Sequence, residues 1–322
     1  MTRVGWIGLG AMGAPMAACV ARAGHQVLAY DIDPGRAQSL AADGVKAAST
    51  VSQAAHGAEV LAVMVATPAQ VEAVLYGDDP AAAALPPGSV VLVMATVGPA
   101  AVQDWATRLA TQGLHLVDAP VSGGVARAAA GDLLIMVAGP ETTLLMVWPV
   151  LDAMARTAPM VGSAPGDGQK VKLVNQLLCG VHIAVAAEAL AFAEAMGLDA
   201  ETTWEVIRHG AAASFMLDDR GERMVHGAFE QVNSALDIFV KDMGLVIDAA
   251  RQHGHPTPLA GATEQLYLAG RRAGLGRLDD SSVIEILRGG ATVSPATPPA
   301  VGEAGNPDRP QTPSPHRQEG PR

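Results

Sequence analysis

One lysine in this sequence stands where acid–base chemistry would need it. In Gly166-Asp167-Gly168-Gln169-Lys170-Val171-Lys172-Leu173-Val174-Asn175-Gln176-Leu177-Leu178-Cys179-Gly180 the chain enters a proline-free run that continues to Met196 and stops at Gly197. Asp167 reads as the N-cap of a helix and Gly197 as the glycine just past its end. About thirty residues at ~1.5 Å each make a rod of roughly 45 Å. At helical spacing Lys172, Asn175, Gln176 and Cys179 share one face, while Leu173, Val174, Leu177 and Leu178 take the rest. An amine on a largely apolar helix, with an amide one turn on, can move a proton to or from a reacting oxygen. Standing alone, the same residue is more often a solvated lysine at a helix start, so the surroundings must decide.

Two glycine-bearing stretches supply what such a lysine would need. Asp118-Ala119-Pro120-Val121-Ser122-Gly123-Gly124 follows a strand pattern, and a serine with paired glycines offers one hydroxyl and two unobstructed N–H groups to a carboxylate. The bland alternative is a surface turn. Gly8-Leu9-Gly10-Ala11-Met12-Gly13 lies between the strand pattern Val4 to Ile7 and the helix pattern Ala14 to Ala23, the proper context for a dinucleotide-binding turn. The first glycine permits the turn, the second lets backbone approach a pyrophosphate, and the third seats the helix close to the strand. A second strand, Gln26 to Tyr30, ends in Asp31, about twenty residues past the glycines, where an acid accepts from ribose hydroxyls and repels a 2′-phosphate. Ile32 follows it rather than an arginine, which predicts NAD over NADP, with Arg36 weighing the other way.

The elements that must position these groups alternate. Strand patterns at 60–65, 90–94 and 114–118, an extended 133–138, and helices at 70–76 and 100–112 predict βαβ units and a mostly parallel, Rossmann-type α/β sheet. After the long rod, helices are expected at 200–210, 215–224, 235–251, 259–273 and 281–288, an all-α second domain built on that rod. We therefore expect a dinucleotide-binding domain over 1–163 and a helical domain over 164–290. From 291 to 322 the chain turns to Pro, Gly, Ser, Thr, Glu and Arg, a composition that predicts a disordered tail.

Composition narrows the partners. At 322 residues and 49% hydrophobic, the chain can bury a substantial core. A net charge of −11 disfavours nucleic acid and anionic membranes, leaving a small molecule as the natural ligand. Two cysteines, Cys19 and Cys179, without Cys-x-x-Cys spacing, and nine histidines without shared spacing predict a reducing compartment and no metal. The N-terminus enters a strand at once, and His182, Glu188 and Glu194 argue against lipid around the rod, so a cytoplasmic protein is expected. From Leu177 to Met196 the rod is apolar nearly all round, which predicts burial on most sides and, since one domain of ~120 residues has little to cover it with, a homodimer or homotetramer.

Four blocks, Gly8 to Gly13, Asp118 to Gly124, Gly168-x3-Lys172-x2-Asn175 and Lys241-Asp242, stand in the order seen in the β-hydroxyacid dehydrogenases, the family of 3-hydroxyisobutyrate dehydrogenase and tartronate semialdehyde reductase. The resemblance covers residues 1 to about 290. Asn175 to Ala184 and Asp237 to Asp242 look most like its L-threonate dehydrogenase branch, which acts on four-carbon sugar acids. It implies an NAD-dependent oxidation of a small hydroxy acid, with L-threonate to its 2-oxo acid the best match. Lys172 resembles the catalytic lysine, and Ser122, Gly123 and Gly124 the carboxylate loop. Asn175 resembles a substrate-orienting amide. For the cofactor it implies Gly8, Gly10, Ala11, Met12, Gly13, Asp31, Val65, Ala66, Thr96 and Lys241, the last against the nicotinamide end. Val65-Ala66 replaces a frequent Leu-Pro and Ala95-Thr96 a Ser-Thr pair, departures that bear on backbone contacts to the cofactor. An imine reductase, which generally lacks the lysine, and a non-catalytic interaction module share the architecture; Lys172 weighs against both.

Overall fold

The computed structural model describes residues 1–289; the expected disordered tail, 291–322, lies outside the described residues. The first half alternates as β1 (Arg3–Ile7), α1 (Gly13–Arg22), β2 (Gln26–Tyr30), α2 (Pro34–Ser39), β3 (Lys46–Ala47), α3 (Val51–Ala55), β4 (Val60–Val63), α4 (Pro68–Tyr76), α5 (Ala81–Ala84), β5 (Val90–Val93), α6 (Pro99–Ala110) and β6 (His115–Asp118). It continues through β7 (Val121–Ser122), α7 (Gly124–Ala130), β8 (Leu133–Ile135), β9 (Val137–Ala138), α8 (Glu141–Asp152), β10 (Ala155–Thr157) and β11 (Met160–Gly162). The large sheet runs β11-β9-β6-β5-β4-β1-β2-β3 and is parallel except where β6 meets β9. The chain order reverses between β1 and β4, and a crevice for ligands forms beyond the strand ends at such a switch point.

Continuous apolar strands make this sheet. All four residues of β4 and of β5 are buried, and they divide by alternation. Val60, Ala62, Val90 and Leu92 join the core under α1, α7 and α8; Leu61, Val63, Val91 and Val93 join the core under α3 to α6. A sheet covered on both faces requires that pattern. The segment 133–138, expected as one extended piece, is instead two strands in two sheets. At Met136, whose N–H donates to Pro120 O, the chain leaves a small β10-β8-β7 sheet and joins the large one.

The second half is α9 (Asp167–Ala195), α10 (Ala200–Ile207), α11 (Phe215–His226), α12 (Leu236–Gln252), α13 (Pro258–Arg272) and the short α14 (Ile284–Leu287). The rod α9 is central, its Leu173, Ile183, Ala186, Ala187 and Leu190 sharing a core with Phe239, Met243 and Tyr267. Gly180 lets α12 cross closely, since a Cβ there would lie 2.4 Å from Met243 Sδ. By length and composition α9 could cross a membrane, but it packs along this helical core and its Glu194 pairs with Arg288, Nε to Oε2 2.9 Å.

Two expectations for α9 need correction. Its N-cap position is Gly166, at φ +99°, and Asp167 is its first helical residue; the capping acceptor comes from elsewhere in the fold, as described below. Nor is its apolar half buried on most sides within this chain. Val174, Leu178, Val185, Phe192 and Met196 line an exposed stripe, Phe192 being 61% exposed, because α10 to α14 cover the opposite side.

Candidate active site

The glycine turn after β1 has the shape of a phosphate cradle. A Cβ on Gly8, at φ +97°, would lie 2.6 Å from Met64 O, and one on Gly13 would lie 2.1 Å from Gly8 O. On Gly10 it would meet nothing nearer than Arg36 Nη1 at 3.9 Å, so the turn is closed toward the protein and open outward in its middle. Ala11 and Met12 complete the turn, and α1 starts at Gly13 with no side-chain cap and no acid in its first turn. Ala14 N–H donates to Gly10 O at 3.1 Å and Pro15 has no N–H, so among the described residues the Ala11, Met12 and Gly13 N–H groups are the ones left for an anion, the fit a dinucleotide pyrophosphate requires. Asp31 braces the turn: Leu9 N–H donates to Oδ2 at 2.7 Å and Asp33 N–H to Oδ1 at 2.9 Å, with lone pairs remaining for a ribose. Arg36 Nη1 stands 3.9 Å from the same Oδ2. Val65 follows β4 beside Gly8, its N 3.0 Å from the position of a Gly8 Cβ. The Ala66 N–H donates to Gln70 Oε1 at 2.9 Å as part of the start of α4, so that N–H is already engaged.

Across the crevice, one string of side chains joins the remaining residues singled out in the sequence. Lys241 Nζ donates to Thr96 O at 2.7 Å and lies 2.8 Å from Asp242 Oδ1. The second contact is at ion-pair distance without hydrogen-bond geometry, so Oδ1 has no hydrogen-bond donor among the described residues. Gln176 Nε2 donates to Asp242 Oδ2, and Gln176 Oε1 accepts from Asn175 Nδ2 at 2.8 Å. Asn175 Nδ2 also reaches Cys179 Sγ at 3.4 Å, and Asn175 Oδ1 accepts from Ser122 Oγ at 3.4 Å. Gly123 and Gly124 follow Ser122 at φ +145° and +78°, backbone that a side chain would strain, and a Cβ on Gly124 would enter open space.

Lys172 sits against this string. It is 6% exposed and its amine makes no hydrogen bond among the described residues. Burial holds its pKa below the ordinary lysine value and nearby Lys241 acts in the same direction, while Asp242 and Cys179 oppose them. Burial raises the Cys179 thiol, with Lys172 pulling against it. A buried amine with a lowered pKa, near enough to Asp242, Cys179 and Lys241 to feel their charges, has the properties of a proton-transfer group.

Three residues of the site were given no role from sequence. Asp118, at the end of β6, supplies the missing cap of α9: Oδ1 accepts from Gly166 N–H at 3.0 Å and Oδ2 from Gln169 N–H at 2.8 Å. Burial pushes its carboxyl up to about 6 against the pull of those two bonds. Gln169, fully buried, ties the same turn to the loop after β5, accepting at Oε1 from Val97 and Gly98 N–H (2.9 and 3.1 Å) and donating from Nε2 to Ala95 O (3.1 Å). Gly168 permits the close approach, since a Cβ there would lie 2.6 Å from Met136 O. The third, Gln176, bridges Asn175 to Asp242. Its polarity and its place one turn beyond Lys172 were a signal, but its partner lies 66 residues away.

Comparison with known proteins agrees with this layout. Residues 3–162 match the NAD binding domain of 6-phosphogluconate dehydrogenase, and residues 166–287 match the family described as NAD-binding of NADP-dependent 3-hydroxyisobutyrate dehydrogenase. L-threonate dehydrogenase of Cupriavidus necator is 43% identical over 89% of this chain and 96% of its own length; that of Escherichia coli O6:H1 is 39% identical over 89% and 95%. A crystal structure of 3-hydroxyisobutyrate dehydrogenase from Salmonella typhimurium superposes with a TM-score of 0.85 at 39% identity, covering 89% of this chain and all of that one. With a Rossmann half, a helical half and this similarity over nearly nine-tenths of its length, the chain belongs to the β-hydroxyacid dehydrogenases, NAD(P)-dependent oxidoreductases acting on CH–OH groups.

Proposed function

We propose that the protein is an NAD-dependent dehydrogenase of a small hydroxy acid, with L-threonate, oxidised to its 2-oxo acid, as the leading substrate. The observation that carries this reading is the buried Lys172 amine, without a hydrogen bond among the described residues, set within reach of the Asp242 carboxylate, Lys241 and Cys179 on the string that leads through Asn175 to Ser122. When bound, the cofactor supplies the hydride acceptor. The chain's own residues do the rest. Ser122 Oγ and the backbone of Gly123 and Gly124, open at Gly124, grip the substrate carboxylate, and Asn175, its amide oriented by Gln176, aligns the hydroxyl-bearing carbon. Lys172, its pKa lowered by burial, accepts the hydroxyl proton as the carbonyl forms. Lys241, anchored on Thr96 O, keeps a cation beside the cofactor end of the crevice, and Asp242 offsets the two positive charges.

Gly8, Gly10, Ala11, Met12 and Gly13 hold the pyrophosphate, with Val65, Ala66 and Thr96 along the dinucleotide, in a domain ending near residue 163. Asp31 supports NAD over NADP, since a carboxylate at that place repels a 2′-phosphate. The exposed stripe on α9 supports a homodimer or homotetramer in which a second copy covers it, and we place the enzyme in the cytoplasm. The test is reduced-cofactor formation from L-threonate, erythronate, 3-hydroxyisobutyrate and glycerate, and reduced-cofactor consumption with tartronate semialdehyde, each with NAD(H) and NADP(H). Turnover of threonate with NAD at tenfold or higher kcat/KM than the others is the expected result. Preference for 3-hydroxyisobutyrate or tartronate semialdehyde would move the substrate assignment, and no turnover of any acid would overturn the reading.

A further inference from the structure

The loop from Ala95 to Gly98 leaves the end of β5 at the crevice, and its backbone is held from two directions. On one side Lys241 Nζ donates to Thr96 O; on the other, the Gln169 side chain takes two N–H groups and one carbonyl of the same four residues. All three hydrogen bonds of Gln169 are buried, and its own N–H is fixed by Asp118. Gln169 also lies three residues before Lys172, one turn down the same rigid helix. The side chain that shapes the loop is therefore locked in register with the amine proposed to move the proton.

We propose that Gln169 is a positioning residue, a clamp that holds the 95–98 loop in the shape needed to receive the dinucleotide and ties that shape to the placement of Lys172. A glutamine suits this task because it presents an acceptor and a donor on one planar group, matching two adjacent N–H groups and a carbonyl. A hydrophobic side chain of similar volume would fill the space but leave two buried N–H groups and one carbonyl unpaired, and the loop would move to satisfy them. The proposal rests on the family's nicotinamide cofactor and is independent of which acid is the substrate.

The experiment measures NADH binding to the full-length protein, by fluorescence titration without substrate, for the wild type and for Gln169→Leu and Gln169→Glu. Far-UV circular dichroism and a cooperative melt establish folding for each variant. Gln169→Leu weakens NADH binding by about tenfold or more, the scale of one lost buried hydrogen bond. Gln169→Glu, which keeps acceptor oxygens for the Val97 and Gly98 N–H groups and loses the donor to Ala95 O, falls between it and the wild type. A folded Gln169→Leu chain that binds NADH within twofold of the wild type overturns the proposal, because a role confined to stability would shift the melt and leave affinity alone. Hydrogen exchange in the wild type keeps the idea open to refutation if the variants do not fold. Val97 and Gly98 amides protected before NADH is added are the expected result, and free exchange in the apo protein would mean that no clamp exists.

Discussion

Replacing Lys172 by methionine separates chemistry from packing at the centre of the site. The stem of Lys172 is buried, so truncation to alanine would leave a cavity and cost about 2–5 kcal/mol for reasons unrelated to catalysis. Methionine keeps most of the stem and removes the amine. If Lys172 accepts the hydroxyl proton, turnover falls by roughly 10²–10⁴-fold, about 3–5 kcal/mol of transition-state stabilisation. Stability should not fall with it. The buried amine is held with no hydrogen bond among the described residues, and Lys241 remains 2.8 Å from Asp242 to balance that carboxylate. We expect the variant's melting temperature to equal or exceed the wild type's, with a gain of about 1 kcal/mol showing as a few degrees. The sign with pH follows from the lowered pKa. Below its folded pKa the amine is protonated in both states and its burial opposes folding; the opposition fades as pH rises from that value toward the ordinary ~10.4. The stability advantage of Lys172→Met is therefore largest at and below the folded pKa of the amine and shrinks as pH rises from there toward ~10.4. The same titration governs catalysis, since oxidation needs the neutral amine, so wild-type kcat/KM rises with pH through a midpoint below the usual lysine value. Stopped-flow and steady-state rates from pH 6 to 10, with melts in the same buffers, test both. A methionine variant that retained a tenth of wild-type turnover, or a rate limb centred at or above ~10.4, would refute the reasoning.

Other residues give independent tests. Phe192→Glu, placing a charge in the exposed stripe of α9, should convert a dimer or tetramer to monomer in sizing with light scattering; a monomeric wild type would end that proposal. Asp31→Asn should lower the NAD to NADP ratio of kcat/KM by at least tenfold and weaken both cofactors through the altered Leu9 bond, whereas an unchanged ratio would show that Asp31 does not select. For Asp118, burial raises the folded carboxyl from 3.8 to about 6, so the wild type loses stability as pH climbs between those values. Asp118→Asn removes that slope. The wild-type minus variant difference in urea melts should fall by up to ~3 kcal/mol from pH 4 to pH 7, and parallel curves would contradict it.

What could be read in advance was what is local. Gly8, Gly10 and Gly13 shape one turn, Asp31 lies one βα unit away and braces it, and Lys172 with Asn175 needs only the helical repeat to share a face, so types and spacing were enough to place them, while their roles came from the resemblance. Asp118, Gln169 and Gln176 take their meaning from partners 48 to 74 residues distant, which a single sequence does not bring together. The mistaken N-cap shows why: Asp167 has the right type in the right place, but Gly166 turns to present its N–H to Asp118, which the sheet delivers from outside the helix. The short strands β7, β10 and β11, two or three residues each, carry too little pattern to be seen before the fold assembles them. The stripe on α9 was legible as apolar, yet which side the remaining helices would cover depended on their packing.

The seam where α9 meets the sheet bears on how the enzyme would tell one acid from another. Gly166 and Gly168 bring the rod's first turn against the strand ends, and Asp118 and Gln169 bolt it there with five hydrogen bonds whose donors and acceptors are all buried. A joint fastened in this way is a poor hinge. If that joint holds in solution, the mouth of the crevice is gauged when the chain folds, and candidate acids would be sorted by how well they suit a finished mould, not by how far they can draw two jaws together.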